Sequence, residues 1–233
     1  MVFLAAVQSA VAVAWTWNGN GGNANWITTG NWTPGSTPAS AATTDLYFDG
    51  TTNTGTAGTP LNQNITAPFL VNSITFNLGA GNFFLGVGAL RFDGGTTNTI
   101  VQNSPNAQSI ANPINAPSNN SPVTLTLAGS GAGIVTISGV ISSANGSRDY
   151  AITKTGTSTF VLSGVNTYGG LTTISGGVLN IQNAAALGGT TAGTTVASGA
   201  ALQIQNGITV GAETLTLNGS GVAADGALRN ISG

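Results

Sequence analysis

The sequence predicts an all-β protein built from many short strands. Runs such as VTLTL (123–127), TFVL (159–162) and ALQI (201–204) are separated by Gly, Asn and Ser. Many of these runs alternate apolar residues with Thr, Asn or Gln, which is typical of strands with one buried face. No long helical period occurs, and the best helical candidate after the first residues, 183–189, covers a turn or two at most.

The scarcity of charge favours one β architecture over others. Strands this short can form a sandwich, a barrel or a solenoid. Charged residues make up 4% of the chain and hydrophobic residues 41%. In a parallel solenoid, equivalent residues of successive coils lie ~4.8 Å apart, and two like charges at that spacing repel by roughly 1 kcal/mol. Stacked coils therefore favour neutral residues such as Thr and Asn, although a neutral surface selected for other reasons would look similar.

The first fourteen residues predict a signal peptide. MVFLAAVQSAVAVA is apolar and ends in Ala12-Val13-Ala14, the small-x-small pattern that precedes cleavage. The alternative is a buried N-terminal helix, which the missing basic residues favour. At 14 residues the segment is shorter than the ~20 needed to cross a bilayer. The absence of cysteine fits either a reducing compartment or an exported chain without disulfides.

The rest of the chain divides by composition near residue 122. All eight prolines lie between Pro34 and Pro122, and all four tryptophans lie at or before Trp32. We therefore expect an N-terminal cap and first β-helical coils over 15–122, and a β-helical repeat region over 123–233. GALRNISG at the end shows no capping pattern, so we expect the repeat region to be truncated there.

One segment carries a specific motif. Residues 152–181 read ITKTGTSTFVLSGVNTYGGLTTISGGVLNI. The segments of this motif come in a fixed order: Lys-Thr-Gly, a short strand with Leu-Ser-Gly, Asn-Thr-Tyr, a Gly-rich turn, Thr-Thr-Ile-Ser-Gly-Gly and a second strand. This order closely resembles the autotransporter-associated β-strand repeat, also called the passenger-associated transport repeat, of secreted bacterial proteins. Residues 15–35, 45–50 and 71–95 resemble the leading parts of such proteins with lower specificity.

The resemblance implies a right-handed parallel β-helix that forms part of a long passenger outside a bacterial cell. It implies no catalytic residues, because the family motif is structural. The residues themselves suggest their roles. The glycines between strands would supply corners with positive φ: Gly156, Gly164, Gly169, Gly170, Gly176 and Gly177. The aliphatic residues Leu162, Ile174, Leu179 and Ile181 would point inward. Tyr168 would cover a corner, with its hydroxyl reaching water or backbone.

Few residues could carry chemistry. General acid–base catalysis would have to use two of Asp45, Asp49, Asp93, Asp149, Glu213 and Asp225. Asp45 and Asp49 would share a strand face about 13 Å apart, which exceeds glycosidase spacings, and Asp149 beside Arg148 suggests a solvated turn. Without histidine a nucleophilic triad lacks its base. We expect no catalytic residues, no metal site and no cofactor.

Four spaced tryptophans are the one local feature that suggests binding: Trp15, Trp17, Trp26 and Trp32. Their rings could stack on sugar faces. They could equally close the open first coil, whose unpaired edge would otherwise promote aggregation. We favour the cap, because solenoids require atypical terminal units.

These observations favour an exported structural protein, a stiff spacer or adhesin-like stalk at the bacterial cell surface. The alternatives are a carbohydrate-binding module that uses the tryptophans and a β-helical polysaccharide-degrading enzyme. Expected partners are surface glycans or host or cell-surface molecules, together with further repeats of a longer chain. The four basic residues are too few for nucleic acid or an anionic membrane surface.

Overall fold

The computed structural model describes residues 13–93, 97–115, 122–143 and 150–233. The predicted signal peptide therefore lies outside the described residues except for Val13 and Ala14, which begin the first strand. Arg148 and Asp149 also lie outside the described residues.

Short strands dominate the described residues. In chain order they are β1 (Val13–Trp17), β2 (Trp32–Thr33), β3 (Thr44–Phe48), β4 (Leu61–Asn62), β5 (Phe69–Val71), β6 (Ser73–Phe76), β7 (Phe84–Gly86), β8 (Leu90–Phe92), β9 (Thr99–Gln102), β10 (Gln108–Ile110), β11 (Ile114–Asn115), β12 (Val123–Ala128), β13 (Val135–Ile137), β14 (Ile141–Ser142), β15 (Tyr150–Lys154), β16 (Thr159–Leu162), β17 (Thr172–Ile174), β18 (Gly177–Ile181), β19 (Thr194–Val196), β20 (Ala200–Gln205), β21 (Leu215–Leu217) and β22 (Leu228–Ser232). A short 3-10 turn, Thr29–Asn31, precedes β2.

The strands form three sheets that the chain visits in rotation. Sheet A has the order β2-β1-β3-β6-β9-β12-β15-β17-β19-β21, sheet B the order β22-β20-β18-β16-β13-β10-β7-β4, and sheet C the order β14-β11-β8-β5. Every neighbouring pair of these strands is parallel except β1 and β2. The fold is a parallel β-solenoid of about 7 turns, which confirms the predicted fold class.

Alternation of side chains along each strand explains the core. In β12, Val123, Leu125 and Leu127 are buried, while Thr124 is exposed and Thr126 lies on the same outer face. Because parallel strands pair in register, inward residues form apolar columns along the axis. One column in sheet B runs Leu61, Leu85, Ile110, Ile137, Leu162, Ile181 and Ile204. The inward positions predicted for Leu162, Ile174, Leu179 and Ile181 are confirmed, since all four are fully buried.

The coils become shorter within the motif of residues 152–181. Register pairs Leu125 with Ile152 and then Ile152 with Thr172, so the second coil uses fewer residues than the first. The shortening coincides with the end of sheet C at β14, which is followed by a single bridge between Ser142 and Thr167. Sheet A continues without interruption across the predicted division at residue 122, from β9 to β12.

The outer face of sheet A carries a continuous column of threonines. Its members, in register from coil to coil, are Thr99, Thr126, Thr153, Thr173, Thr195 and Thr216. This column is the neutral stacking that the low charge content led us to expect. Neighbouring positions of the column lie ~4.8 Å apart. Like charges at two adjacent positions would therefore repel each other.

A pair of substitutions in this column tests the constraint. Thr153→Glu with Thr173→Glu should destabilise the fold by roughly 1 kcal/mol more than the two single changes together, because the carboxylates repel in register. Thr153→Glu with Thr173→Lys should lack this excess. Urea unfolding of the single and double variants measures the coupling. Equal coupling for the like and opposite charge pairs would show that charge is not the constraint.

Candidate functional site

The motif of residues 152–181 occupies parts of two successive coils, from β15 to β18. Its lysine lies inside the solenoid. Tyr150, Ile152 and Lys154 alternate inward along β15, and Lys154 has Leu127 and Ile174 as its register partners. The side chain of Lys154 is fully buried, at 0% exposure. A cation thus interrupts an otherwise apolar column.

Backbone carbonyls take the place of water around this cation. Lys154 Nζ donates hydrogen bonds to the carbonyl oxygens of Thr155 (2.6 Å), Gly156 (3.1 Å) and Gly176 (3.1 Å). The ammonium also lies 5.7 Å from the centroid of the Phe160 ring, within the range of a cation–π interaction. Gly176 belongs to the following coil, so Lys154 fastens the A-to-B turns of two successive coils.

The glycines of the motif allow this close approach. Gly156 and Gly177 adopt φ +67° and +63°, as the sequence predicted. A Cβ on Gly177 would lie 2.9 Å from Lys154 Nζ and 2.5 Å from the carbonyl oxygen of Gly156. The prediction of positive φ is wrong for Gly164, Gly169, Gly170 and Gly176. At Gly164 and Gly170 a Cβ would instead approach backbone atoms of the preceding coil.

Asn166 fixes the connection between β16 and β17. Its Oδ1 accepts a hydrogen bond from the Ile141 N–H (2.9 Å), and its Nδ2 donates to the carbonyl of Ala186 (2.7 Å). Those two residues lie in the preceding and following coils. The buried amide therefore connects three coils where sheet C ends, which is a role the sequence analysis missed.

The hydroxyl of Tyr168 does not have the partner that we expected. Its ring is fully buried, and its hydroxyl pairs with the Thr172 hydroxyl at 2.8 Å instead of reaching water or backbone. Thr172 is itself an inward residue of β17. Burial raises the pKa of Tyr168, and burial raises the pKa of Tyr150 as well.

The four tryptophans, which we call the tryptophan cap after the expected role, lie in the core at the N-terminal end of the described strands. Trp15 is 7% exposed, Trp32 1%, and Trp17 and Trp26 are fully buried. Trp32 stands edge-on to Trp17 and Trp26, with ring centroids at 5.0 and 5.6 Å. All four rings lie in the hydrophobic core and not on an open surface. Their stacking on sugars stays a prediction, and it would require these rings to leave the core.

Hydrogen bonds stabilise the N-terminal segment internally and connect it to the loop after β3. The Trp32 indole donates to the carbonyl of Trp26 (2.8 Å), and the Trp17 indole donates to the carbonyl of Asn53 (3.1 Å). Buried Asn31 accepts from the Gly21 N–H (2.8 Å). Strand β2 covers the free edge of β1 with only two residues, and Pro34 follows without an N–H to offer a further strand.

The acidic residues that the structure describes have separate partners. Asp49 Oδ2 accepts from Asn77 Nδ2 (3.2 Å), and Glu213 Oε1 accepts from the Thr194 hydroxyl (2.7 Å). Two acids form ion pairs, Asp93 with Arg91 (3.1 Å) and Asp225 with Arg229 (2.6 Å), and Asp45 bonds to Asn72 and Ser73. Among the described residues, no three His, Cys, Asp or Glu side chains group as metal ligands.

Residues 152–181 match the family model of the passenger-associated-transport-repeat. The chain carries a passenger-associated transport repeat. The repeat resemblance inferred from the sequence is thereby confirmed over the same thirty residues. No curated protein and no solved structure matches the chain. In the part of the chain that the structure describes, no helix has the length and apolar character to cross a bilayer.

Replacing the buried lysine should weaken the repeat. Lys154→Met keeps the length of the side chain but leaves three carbonyls without their shared donor, so we expect a loss of roughly 1–3 kcal/mol in the free energy of unfolding. Arg229→Met, which removes a half-exposed ion pair, should cost less than about 1 kcal/mol. Chemical denaturation compares the two. An equal effect of both variants would contradict the proposed role of Lys154.

Stability should depend on pH through the same lysine. Burial lowers the pKa of Lys154 from its ordinary value of 10.5 to about 8. Between these values the unfolded chain binds more protons than the folded one, so the free energy of unfolding should rise with pH from about 8 to 10. Above pH 10 the buried tyrosines, whose pKa values are raised, should reverse the trend. Unfolding of Lys154→Met over the same pH range should lack the rise.

The cap should respond to loss of a tryptophan with loss of stability. Trp32→Ala removes a ring that packs against three others, those of Trp17, Trp26 and Phe48, and should cost about 3–5 kcal/mol, with increased aggregation. Ile27→Ala, which alters an exposed residue of the same segment, should have little effect. Thermal unfolding with light scattering measures both. Lost glycan binding with an unchanged melting curve would instead favour the carbohydrate hypothesis.

Proposed function

We propose that this chain is an exported passenger segment that serves as a stiff spacer or adhesin-like stalk at the bacterial cell surface. The observation that carries the proposal is the placement of the transport repeat. Residues 152–181 form part of one solenoid whose sheet A continues in register on both sides, from β12 before the repeat to β19 after it. The repeat is thus an integral part of the rod.

The geometry supports a mechanical role. Nine parallel strands of sheet A, spaced ~4.8 Å apart, give a rod of about 38 Å. Backbone hydrogen bonds between coils run along its axis, and apolar columns fill its interior. Further coils would lengthen such a rod without any new kind of contact. The described acids bond to separate partners, which fits a structural role better than acid–base catalysis.

Export can be tested with the full-length gene product expressed in a Gram-negative host. An epitope inserted at Gly58, in the exposed turn before β4, should be labelled by antibody on intact cells. An epitope on a periplasmic protein serves as the control and should be labelled only after permeabilisation. Labelling of the Gly58 epitope only in permeabilised cells would reject surface export.

A further inference from the structure

The outer face of sheet A holds a polar groove next to the cap. It crosses β3, β6 and β9 and has a volume of about 370 Å³. Asp45 and Tyr47 form one part of its lining, and Thr75 and Thr99 another. Neither the repeat nor the tryptophan cap uses this surface. Its volume is within the range of small-ligand sites, which begins at about 300 Å³.

The neighbouring coil fixes the carboxylate in the groove. Asp45 Oδ1 accepts hydrogen bonds from Asn72 Nδ2 (2.8 Å) and Ser73 Oγ (2.6 Å). Asn72 is itself only 3% exposed, and its Oδ1 accepts from the Thr97 N–H (3.1 Å). The orientation of Asp45 is therefore set by a buried amide before any ligand arrives.

Polar groups remain free for a ligand. The two donors on Oδ1 leave Asp45 Oδ2 without a hydrogen-bond partner among the described residues, although the side chain is partly exposed. Tyr47 and Asp45 are two residues apart on one strand and so point to the same side, about 7 Å apart. The groove therefore presents a strong acceptor, hydroxyl groups and one aromatic ring.

The charge of the groove narrows the class of ligand. Among the described residues that line the groove, Asp45 is the only charged one. The basic residues that the structure describes are engaged elsewhere, since Arg91 and Arg229 form ion pairs and Lys154 is buried. A carboxylate without a counter-ion repels anions, so sialic acids and uronic acids are poor candidates.

We propose that this groove binds a neutral saccharide unit. Vicinal sugar hydroxyls would donate to Asp45 Oδ2, a charge-assisted contact stronger than one between neutral groups. The Thr75 hydroxyl can donate or accept, and the apolar face of the sugar would pack on the Tyr47 ring. The site is separate from the tryptophans, and it does not rest on the chain acting as a spacer.

A glycan array of neutral, sialylated and uronic glycans, probed with the folded chain, tests the proposal. We expect binding to neutral glycans. Asp45→Asn keeps an oxygen for Asn72 and Ser73 but removes the charge, and it should weaken that binding about tenfold or more. Tyr47→Thr removes the aromatic ring but keeps a hydroxyl, like its register partners Thr16 and Thr75, and it should weaken neutral-glycan binding similarly. Asp49→Asn is the matched control and should bind like the unchanged chain, because Asp49 lies outside the groove lining.

Several results would overturn the proposal. On the array, these are binding to no neutral glycan, a preference for anionic glycans, or binding that requires added Ca²⁺. Binding that is unchanged in both groove variants, or binding of cationic peptides instead of glycans, would also overturn it. If either variant misfolds, amide chemical shifts of the unchanged chain decide. Titration with the bound glycan should move the signals of Tyr47, Thr75 and Thr99, and shifts confined to other residues would reject the site.

Discussion

In-register stacking of parallel strands is the constraint on which the structure depends. Each residue of sheet A lies directly above and below the residues in register with it in the neighbouring coils. Its side chain must therefore pack or bond favourably with those neighbours. Aliphatic columns satisfy this inside and the threonine column satisfies it outside. Charged residues occur where their register partners are neutral, as with Asp45 opposite Ser73 and Lys154 opposite Ile174. The low charge content follows from the architecture.

Lys154 shows how the fold accommodates an exception. Burying an ammonium is costly unless other dipoles replace its hydration. The tight turns at Gly156 and Gly176 turn their carbonyls toward Nζ, so the turn geometry and the cation depend on each other. The coil that follows this lysine is shorter than the coil before it. The motif thus contains both the lysine that hydrogen-bonds to the turns of two successive coils and the change to a shorter coil.

The sequence predicted the strands and the solenoid because alternation and register are local or periodic properties. The sequence analysis did not predict that Lys154 points inward, because lysine is rarely fully buried. The alternation along β15 was a usable signal, since Lys154 lies two residues after Ile152 and four after Tyr150. The environment of Tyr168 could not be read from sequence, since it depends on which residues the next coil brings beneath the ring. The partners of Asp45 likewise depend on the register between β3 and β6, which belong to successive coils.

The distribution of aromatic residues follows from the cross-section. Coils with three sheets enclose a wide interior, and Trp17, Phe48 and Phe76 fill it as a stacked column that ends at buried Gln102. Among the described residues sheet C adds no strand after β14, the coils become shorter, and the buried side chains are mostly aliphatic, with Tyr150, Phe160 and Tyr168 as exceptions. The change in composition along the chain therefore accompanies the end of sheet C and the shortening of the coils. At the N-terminal end, β2 pairs antiparallel with Thr16 and Trp17 of β1, so it covers this part of the strand's free edge.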